Sequence, residues 1–315
     1  MAKIAFLFPG QGAQKIGMGK DLFDKYSVAR AVFEEADKTL GFSITDMCFN
    51  GPEEDLKLTM NTQPALLTVS AAALAVLEEL GIKPDCAAGH SLGEYGALVA
   101  GKVLSFADAV KTVRARGEFM QEAVPAGEGA MAAIIGLERD RIIEICTKIT
   151  GETGLVQAVN FNMPGQIVIA GITSAVNQAC EELKAAGARR ALLLPVSAPF
   201  HSLLMKPAAE KLEKVLDTVD FSDSLIPIIS NVDARASKTA ATLKAKLVHQ
   251  VASPVLWEDS VAQIVNTGVD FVIEVGAGPL AGFMKKIAPD ITAIGIDDEA
   301  SIAKMLELLK EKKCD

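Results

Sequence analysis

The sequence predicts an α/β fold, a mostly parallel sheet covered by helices and interrupted by a small βαββαβ layer. Three observations predict it. Short apolar runs alternate with longer segments of helical spacing along most of the 315 residues. The connections are short and carry glycine and proline, as in a parallel sheet with crossover helices. Between residues 128 and 196 the order becomes strand, helix, strand, strand, helix, strand, the split unit of a ferredoxin-like domain.

The elements follow in order. Residues 4–8 form a buried strand that Pro9-Gly10 ends, leading into the loop Gly10-Gln11-Gly12-Ala13-Gln14. Residues 21–39 show helical spacing through Leu22, Tyr26, Ala29, Val32, Phe33 and Ala36. The longest uncharged run, 58–77, contains Asn61, Thr62, Gln63 and Pro64. It therefore reads as a loop entering a buried Ala-rich helix, 64–80, and not as a membrane span. Residues 85–88 are a strand, 89–93 a sharp turn, and 92–100 and 106–123 helices, the second closed by Val124-Pro125-Ala126-Gly127. In the middle section the strands are 130–136, 155–161, 166–170 and 190–195, and the helices 138–150 and 174–186. The chain resumes with helix 205–218, strands 226–230 and 271–275, and helices 242–251 and 300–310. Residues 1–127 and 197–315 thus make the core, and 128–196 the insertion.

Composition excludes several classes. Half the residues are hydrophobic and 23% charged, which excludes intrinsic disorder, and 5% aromatic residues imply an aliphatic core. A net charge of −9 without a basic block is poorly suited to neutralising nucleic-acid phosphates. The five cysteines form no CxxC, which argues against a zinc knuckle or a disulfide framework and for a reducing compartment, the cytoplasm. The apolar start, 4–8, is too short for a signal peptide.

The most informative stretch is Gly89-His90-Ser91-Leu92-Gly93-Glu94, where GxSxG lies between a strand and a helix. This is the nucleophile-elbow pattern, with Ser91 as nucleophile and the Leu92 N–H as an oxyanion donor. A serine needs a base, and the chain has three histidines. His90 would point away across the turn and His249 sits on a helix, so His201, in a loop where the chain leaves the insertion, is favoured. No Asp or Glu stands out as a third member. Arg116 falls on the apolar stripe of helix 106–123, where an unpaired charge is expensive. It needs an anionic partner, either a structural carboxylate or that of a substrate. Neither Gly10-Gln11-Gly12 nor Val275-Gly276-Ala277-Gly278-Pro279-Leu280 fits a phosphate loop.

Together these segments closely resemble the malonyl-CoA:acyl carrier protein transacylases, stand-alone acyltransferases of fatty acid synthesis. The resemblance rests on Phe8-Pro9-Gly10-Gln11-Gly12, Asn61-Thr62-Gln63-Pro64-Ala65, the serine elbow, Arg116-Gly117, Asn160-Phe161-Asn162, Pro199-Phe200-His201-Ser202, Gln250 with Pro254-Val255, and Glu274-Val275-Gly276. It runs from residue 3 to about 283. It implies a hydrolase-like core with the site in the cleft facing the ferredoxin-like subdomain. It implies Ser91 as nucleophile, His201 as base and Arg116 as the ligand of the malonyl carboxylate. The oxyanion hole would be the N–H groups of Gln11 and Leu92, and the carbonyl of Gln250 would orient the histidine. Gln63, Asn160, Asn162 and Phe200 would complete the substrate site, with Phe200 and Leu92 favouring malonyl over branched units. At Phe200 the chain departs from many stand-alone members, which carry a smaller residue. The implied partners are malonyl-CoA and an acyl carrier protein that brings its own phosphopantetheine. The chain itself would need no cofactor and no metal and act as a monomer. Arg189-Arg190 and Lys285-Lys286 are candidate docking patches for anionic partners. The competing readings are a serine esterase or thioesterase, a polyketide acyltransferase acting in trans, and a non-catalytic acyl-binding module.

Overall fold

In a computed structural model, residues 2–125, 127–196 and 198–314 are described. Met1, Ala126 of the predicted closing loop, Ser197 at the predicted boundary and Asp315 lie outside them. Ten strands form two sheets among the described residues. The larger contains β1 (Ile4–Phe8), β2 (Cys86–Gly89), β7 (Ile228–Ile229), β8 (Ala236–Ser237), β9 (Phe271–Val275) and β10 (Thr292–Ile296). Their order is β10-β9-β1-β2-β7-β8, parallel throughout except for the β7–β8 pair. The smaller sheet contains β3 (Gly129–Ile135), β4 (Val156–Met163), β5 (Gln166–Ile172) and β6 (Arg190–Leu193). Its order is β4-β5-β3-β6, all antiparallel, the strand arrangement of a ferredoxin-like layer.

β1 and β2 are buried along nearly their whole length because helices cover both faces of the sheet. β1 lies beside β9, and the connection β1 to β2 runs to one side of the sheet while β9 to β10 runs to the other. The crevice beyond the C-terminal ends of such strands is where α/β sheets bind ligands. Helices 139–152 and 173–185 pack on one face of the small sheet around Ile142, Ile149, Ile169 and Val176.

The structure departs from the sequence reading in several places. The predicted loop 58–63 belongs to a helix, Thr59–Glu79, that contains Pro64. Proline lacks the N–H that would bond the Met60 carbonyl one turn back. Arg114 Nη1 supplies that bond from the neighbouring helix at 3.1 Å. This helix is long and apolar enough to cross a membrane, yet its apolar window is 89% buried inside the protein. The predicted helix 21–39 is two, Lys20–Lys25 and Ser27–Leu40, broken where Tyr26 turns extended. The predicted strand 226–230 shrinks to β7. Helices Ile44–Asn50, Trp257–Asn266 and Leu280–Ile287 and the edge strand β10 were not expected.

Candidate active site

β2 runs straight into the serine turn. Ser91 has φ 52°, a left-handed conformation that L-residues rarely adopt. The turn is held so tightly that only glycine fits at its flanks. A Cβ on Gly89 would lie 1.9 Å from the Gly93 carbonyl group, and one on Gly93 2.0 Å from the Phe8 carbonyl oxygen. Asn231 clamps the turn from β7's side: its Oδ1 accepts from the Ser91 N–H at 2.7 Å, and its Nδ2 donates to the Gly89 carbonyl at 2.7 Å.

His201, 110 residues on, places Nε2 2.7 Å from Ser91 Oγ. Its Nδ1 lies 2.9 Å from the Gln250 carbonyl oxygen. A carbonyl only accepts, so Nδ1 carries the proton and Nε2 offers its lone pair to the serine. Burial, together with the Arg116 charge and partly offset by the Gln250 bond, pushes the His201 pKa down to about 3. The imidazole is therefore neutral and able to accept a proton.

Arg116 is 1% exposed. Its Nη1 donates to Gln63 Oε1 at 2.8 Å, and its Nη2 to Gln250 Oε1 at 2.8 Å and Ser91 Oγ at 3.1 Å. Nε is buried without a partner. Among the described residues no carboxylate pairs with it. The structural-carboxylate alternative is thus not what the fold provides. A full positive charge is held by neutral amide oxygens beside the nucleophile, and burial pulls its pKa below the ordinary arginine value.

These groups line a cleft of about 110 Å³ together with Gln11, Leu92, Met120, Met131, Asn160, Leu194, Val196 and Phe200. That volume suits a short acyl group and not a long chain. Met131, Asn160, Leu194 and Val196 come from the strands of the small sheet or the segment that leaves it, so the cleft lies between the two sheets. Among the described residues the backbone N–H groups of Gln11 and Leu92 have no hydrogen-bond acceptor. Leu92 also caps the helix Gly93–Ala100, whose positive dipole end faces the site.

One expectation changes, at Asn162. His90 belongs to the cleft lining, and its ring is bonded to Asn162, with Nε2 2.9 Å from Oδ1. Asn162 itself is not on the cleft wall, and reaches it through His90. Asn160 is on the wall, with its Oδ1 buried and unpartnered, at a register shift in β4. Two buried acids escaped the sequence reading. Glu94, 1% exposed, accepts from the Asn231 N–H and Gln250 Nε2. Glu274, at the end of β9, accepts from the N–H groups of Leu280 and Ala281 and so caps the helix Leu280–Ile287. Burial pushes its pKa up to about 7. The presence of each acid within a quoted motif was the available signal.

Residues 5–291 match the family model for the acyl transferase domain. The chain is 52% identical over 313 residues to the "Malonyl CoA-acyl carrier protein transacylase" of Bacillus subtilis, covering 99% of each chain. Its fold is similar to an acyl carrier protein S-malonyltransferase from Vibrio cholerae, with a TM-score of 0.94, 46% identity, and coverage of 96% of this chain and 99% of that one. It is equally similar, at a TM-score of 0.94 and 44% identity over 97% and 99% of the two chains, to a malonyl-transacylase solved in complex with its type II PKS acyl-carrier protein.

Proposed function

The chain belongs to the malonyl CoA-acyl carrier protein transacylases of the acyl transferase family, and from that premise we propose that Ser91, His201 and Arg116 carry out the family's reaction. It is an acyltransferase that moves the malonyl group from malonyl-CoA to acyl carrier protein, serving fatty acid or polyketide synthesis.

One observation carries the assignment of residues. A buried guanidinium, paired with no carboxylate among the described residues, lies 3.1 Å from the nucleophilic oxygen. An acyl group that satisfies it must carry a carboxylate within two or three bonds of the carbon that Ser91 attacks. Malonyl has that 1,3 arrangement. Acetyl and long-chain acyl groups do not.

The steps follow from the geometry. Ser91 Oγ attacks the thioester carbonyl carbon while His201 Nε2 takes the hydroxyl proton. The oxyanion is met by the free N–H groups of Gln11 and Leu92, a contribution of about 3–4 kcal/mol per well-placed donor. The C–S bond breaks, and the CoA thiolate leaves with the proton from His201. The malonyl-serine ester is then attacked by the phosphopantetheine thiol of the carrier protein, whose proton passes through His201 to Ser91 Oγ as the ester bond breaks. Such an intermediate gives ping-pong kinetics. The imidazolium that forms has a neutral carbonyl behind it and Arg116 nearby, so it stays short-lived and returns its proton readily.

The reading extends to a monomeric cytoplasmic enzyme that needs no bound cofactor, with CoA and the carrier's phosphopantetheine as substrates. Cys48, Cys86, Cys146 and Cys180 are free and buried, in keeping with a reducing compartment. The carrier protein docks by complementary charge at Arg189-Arg190 and Lys285-Lys286, which are exposed. The test is malonyl-CoA turnover with and without acyl carrier protein. Transfer that requires the carrier, with parallel double-reciprocal lines, supports the reading. Rapid hydrolysis without it supports a thioesterase instead.

A further inference from the structure

Glu94 is a buried ionisable group that the reaction does not use, and unlike Glu274 it bonds directly to the residues around Ser91. It follows the serine elbow in the first turn of the helix Gly93–Ala100 and is 1% exposed. A buried carboxylate is retained only where its hydrogen bonds offset its desolvation. One oxygen, Oε2, accepts from Gln250 Nε2 at 2.8 Å and from the Asn231 N–H at 3.0 Å.

Gln250 is the hub of the site. Its carbonyl orients His201, and its side-chain Oε1 accepts from Arg116 Nη2 at 2.8 Å. The two ends of an amide side chain have opposite hydrogen-bonding character. Rotating this one by half a turn would aim an NH₂ group at the guanidinium and an oxygen at Glu94 and the Ser91 carbonyl, which Nε2 now reaches at 2.9 Å. Glu94 Oε2 makes the shortest of the bonds that hold Nε2; the others go to the Ser91 carbonyl at 2.9 Å and Asn231 Oδ1 at 3.4 Å.

We infer that Glu94 is a positioning residue: it fixes the polarity of the Gln250 amide and so aims Arg116 at the substrate carboxylate. The inference rests on the proposed reading of Arg116 as the carboxylate ligand. It separates the two tasks of Gln250. The carbonyl that orients His201 is backbone and does not depend on the amide's rotation. Loss of Glu94 therefore falls on recognition of the carboxylate more than on the acyl-transfer step.

The experiment compares kcat/KM for malonyl-CoA and acetyl-CoA, with acyl carrier protein as acceptor, in the wild type and in Glu94→Ala, Glu94→Asp and Glu94→Gln. Alanine removes the acceptor, and aspartate withdraws it by one methylene. Both should lower the malonyl-to-acetyl ratio at least tenfold, mainly through a raised KM for malonyl-CoA. Glutamine keeps an oxygen for both donors and should restore the ratio to within threefold of wild type. A merely structural role would lower thermal stability and both activities together, leaving the ratio in place. A folded Glu94→Ala or Glu94→Asp protein with the wild-type ratio overturns the inference. So does failure of both to fold while Glu94→Gln keeps the ratio, because the side chain is then structural. Should the wild type itself show no preference for malonyl-CoA, the reading of Arg116 fails first, and the two failures are told apart.

Discussion

Replacing Arg116 by alanine should convert a malonyl-selective enzyme into one that no longer discriminates. The guanidinium is 1% exposed, and its present acceptors, Gln63 and Gln250, are neutral. A bound malonyl carboxylate would be the one full counter-charge in contact with it, shielded from water. Removing one partner of such a buried pair costs about 3–5 kcal/mol. At 1.36 kcal/mol per tenfold, that is a loss of about 2.2 to 3.7 orders of magnitude in kcat/KM for malonyl-CoA. Acetyl-CoA has no carboxylate to lose. Its transfer forfeits only the contact between Arg116 and Ser91 Oγ, worth about 1.5 kcal/mol or roughly tenfold. The malonyl-to-acetyl ratio should therefore fall by at least about tenfold. The assay is transfer of each radiolabelled acyl group to acyl carrier protein, alongside a thermal melt to verify folding. Malonyl-CoA still outcompeting acetyl-CoA by the wild-type margin in the folded variant would refute the role of Arg116.

Further predictions concern the base, the elbow and the partner surface. With the His201 pKa pushed down to about 3, chiefly by burial and then by Arg116, the base stays unprotonated through the ordinary histidine range. Protonation removes the acceptor, so kcat/KM falls as pH drops through the folded-state pKa; the wild-type acid limb should lie well below about 6.5 and move upward in Arg116→Ala. A wild-type limb centred near the ordinary histidine value contradicts this assignment. Gly93→Ala would place a methyl group 2.0 Å from the Phe8 carbonyl oxygen. Denaturant titration should show a loss of about 3 kcal/mol or more, and a loss under about 1 kcal/mol would mean the elbow relaxes freely. Reversing Arg189, Arg190, Lys285 and Lys286 to glutamate should raise the KM for acyl carrier protein at low salt, with the difference shrinking as salt screens it. An unchanged KM at low salt would place the docking surface elsewhere.

Much of the site was legible because its chemistry demands particular residues at particular turns. The elbow announces itself: a strand ending in Gly89-His90-Ser91-Leu92-Gly93 leaves no room for larger flanking residues. Arg116 was visible as a charge on an apolar stripe, and the fold buries it as that position required. The βαββαβ order gave the small sheet, since each strand there is bounded by a turn or a helix. What stayed hidden depends on long-range contacts. Nothing local says that Asn231 grips Ser91 across 140 residues, and the Gln250 carbonyl behind His201 was foreseen only through the family resemblance. Pro64 argued for a loop by local rule, and the fold overrides that rule with the Arg114 side chain. Glu94 was overlooked, and the bond of His90 to Asn162 unforeseen, because the partners lie on distant segments.

The central claim is that Ser91 carries the malonyl group between two thiols. Intact-protein and peptide mass spectrometry after brief exposure to malonyl-CoA and acid quench tests it most directly. The account predicts a malonyl adduct on the peptide containing Ser91, absent from Ser91→Ala and discharged when acyl carrier protein is added. A wild-type enzyme that transfers malonyl while showing no adduct on Ser91 under any quench would contradict it.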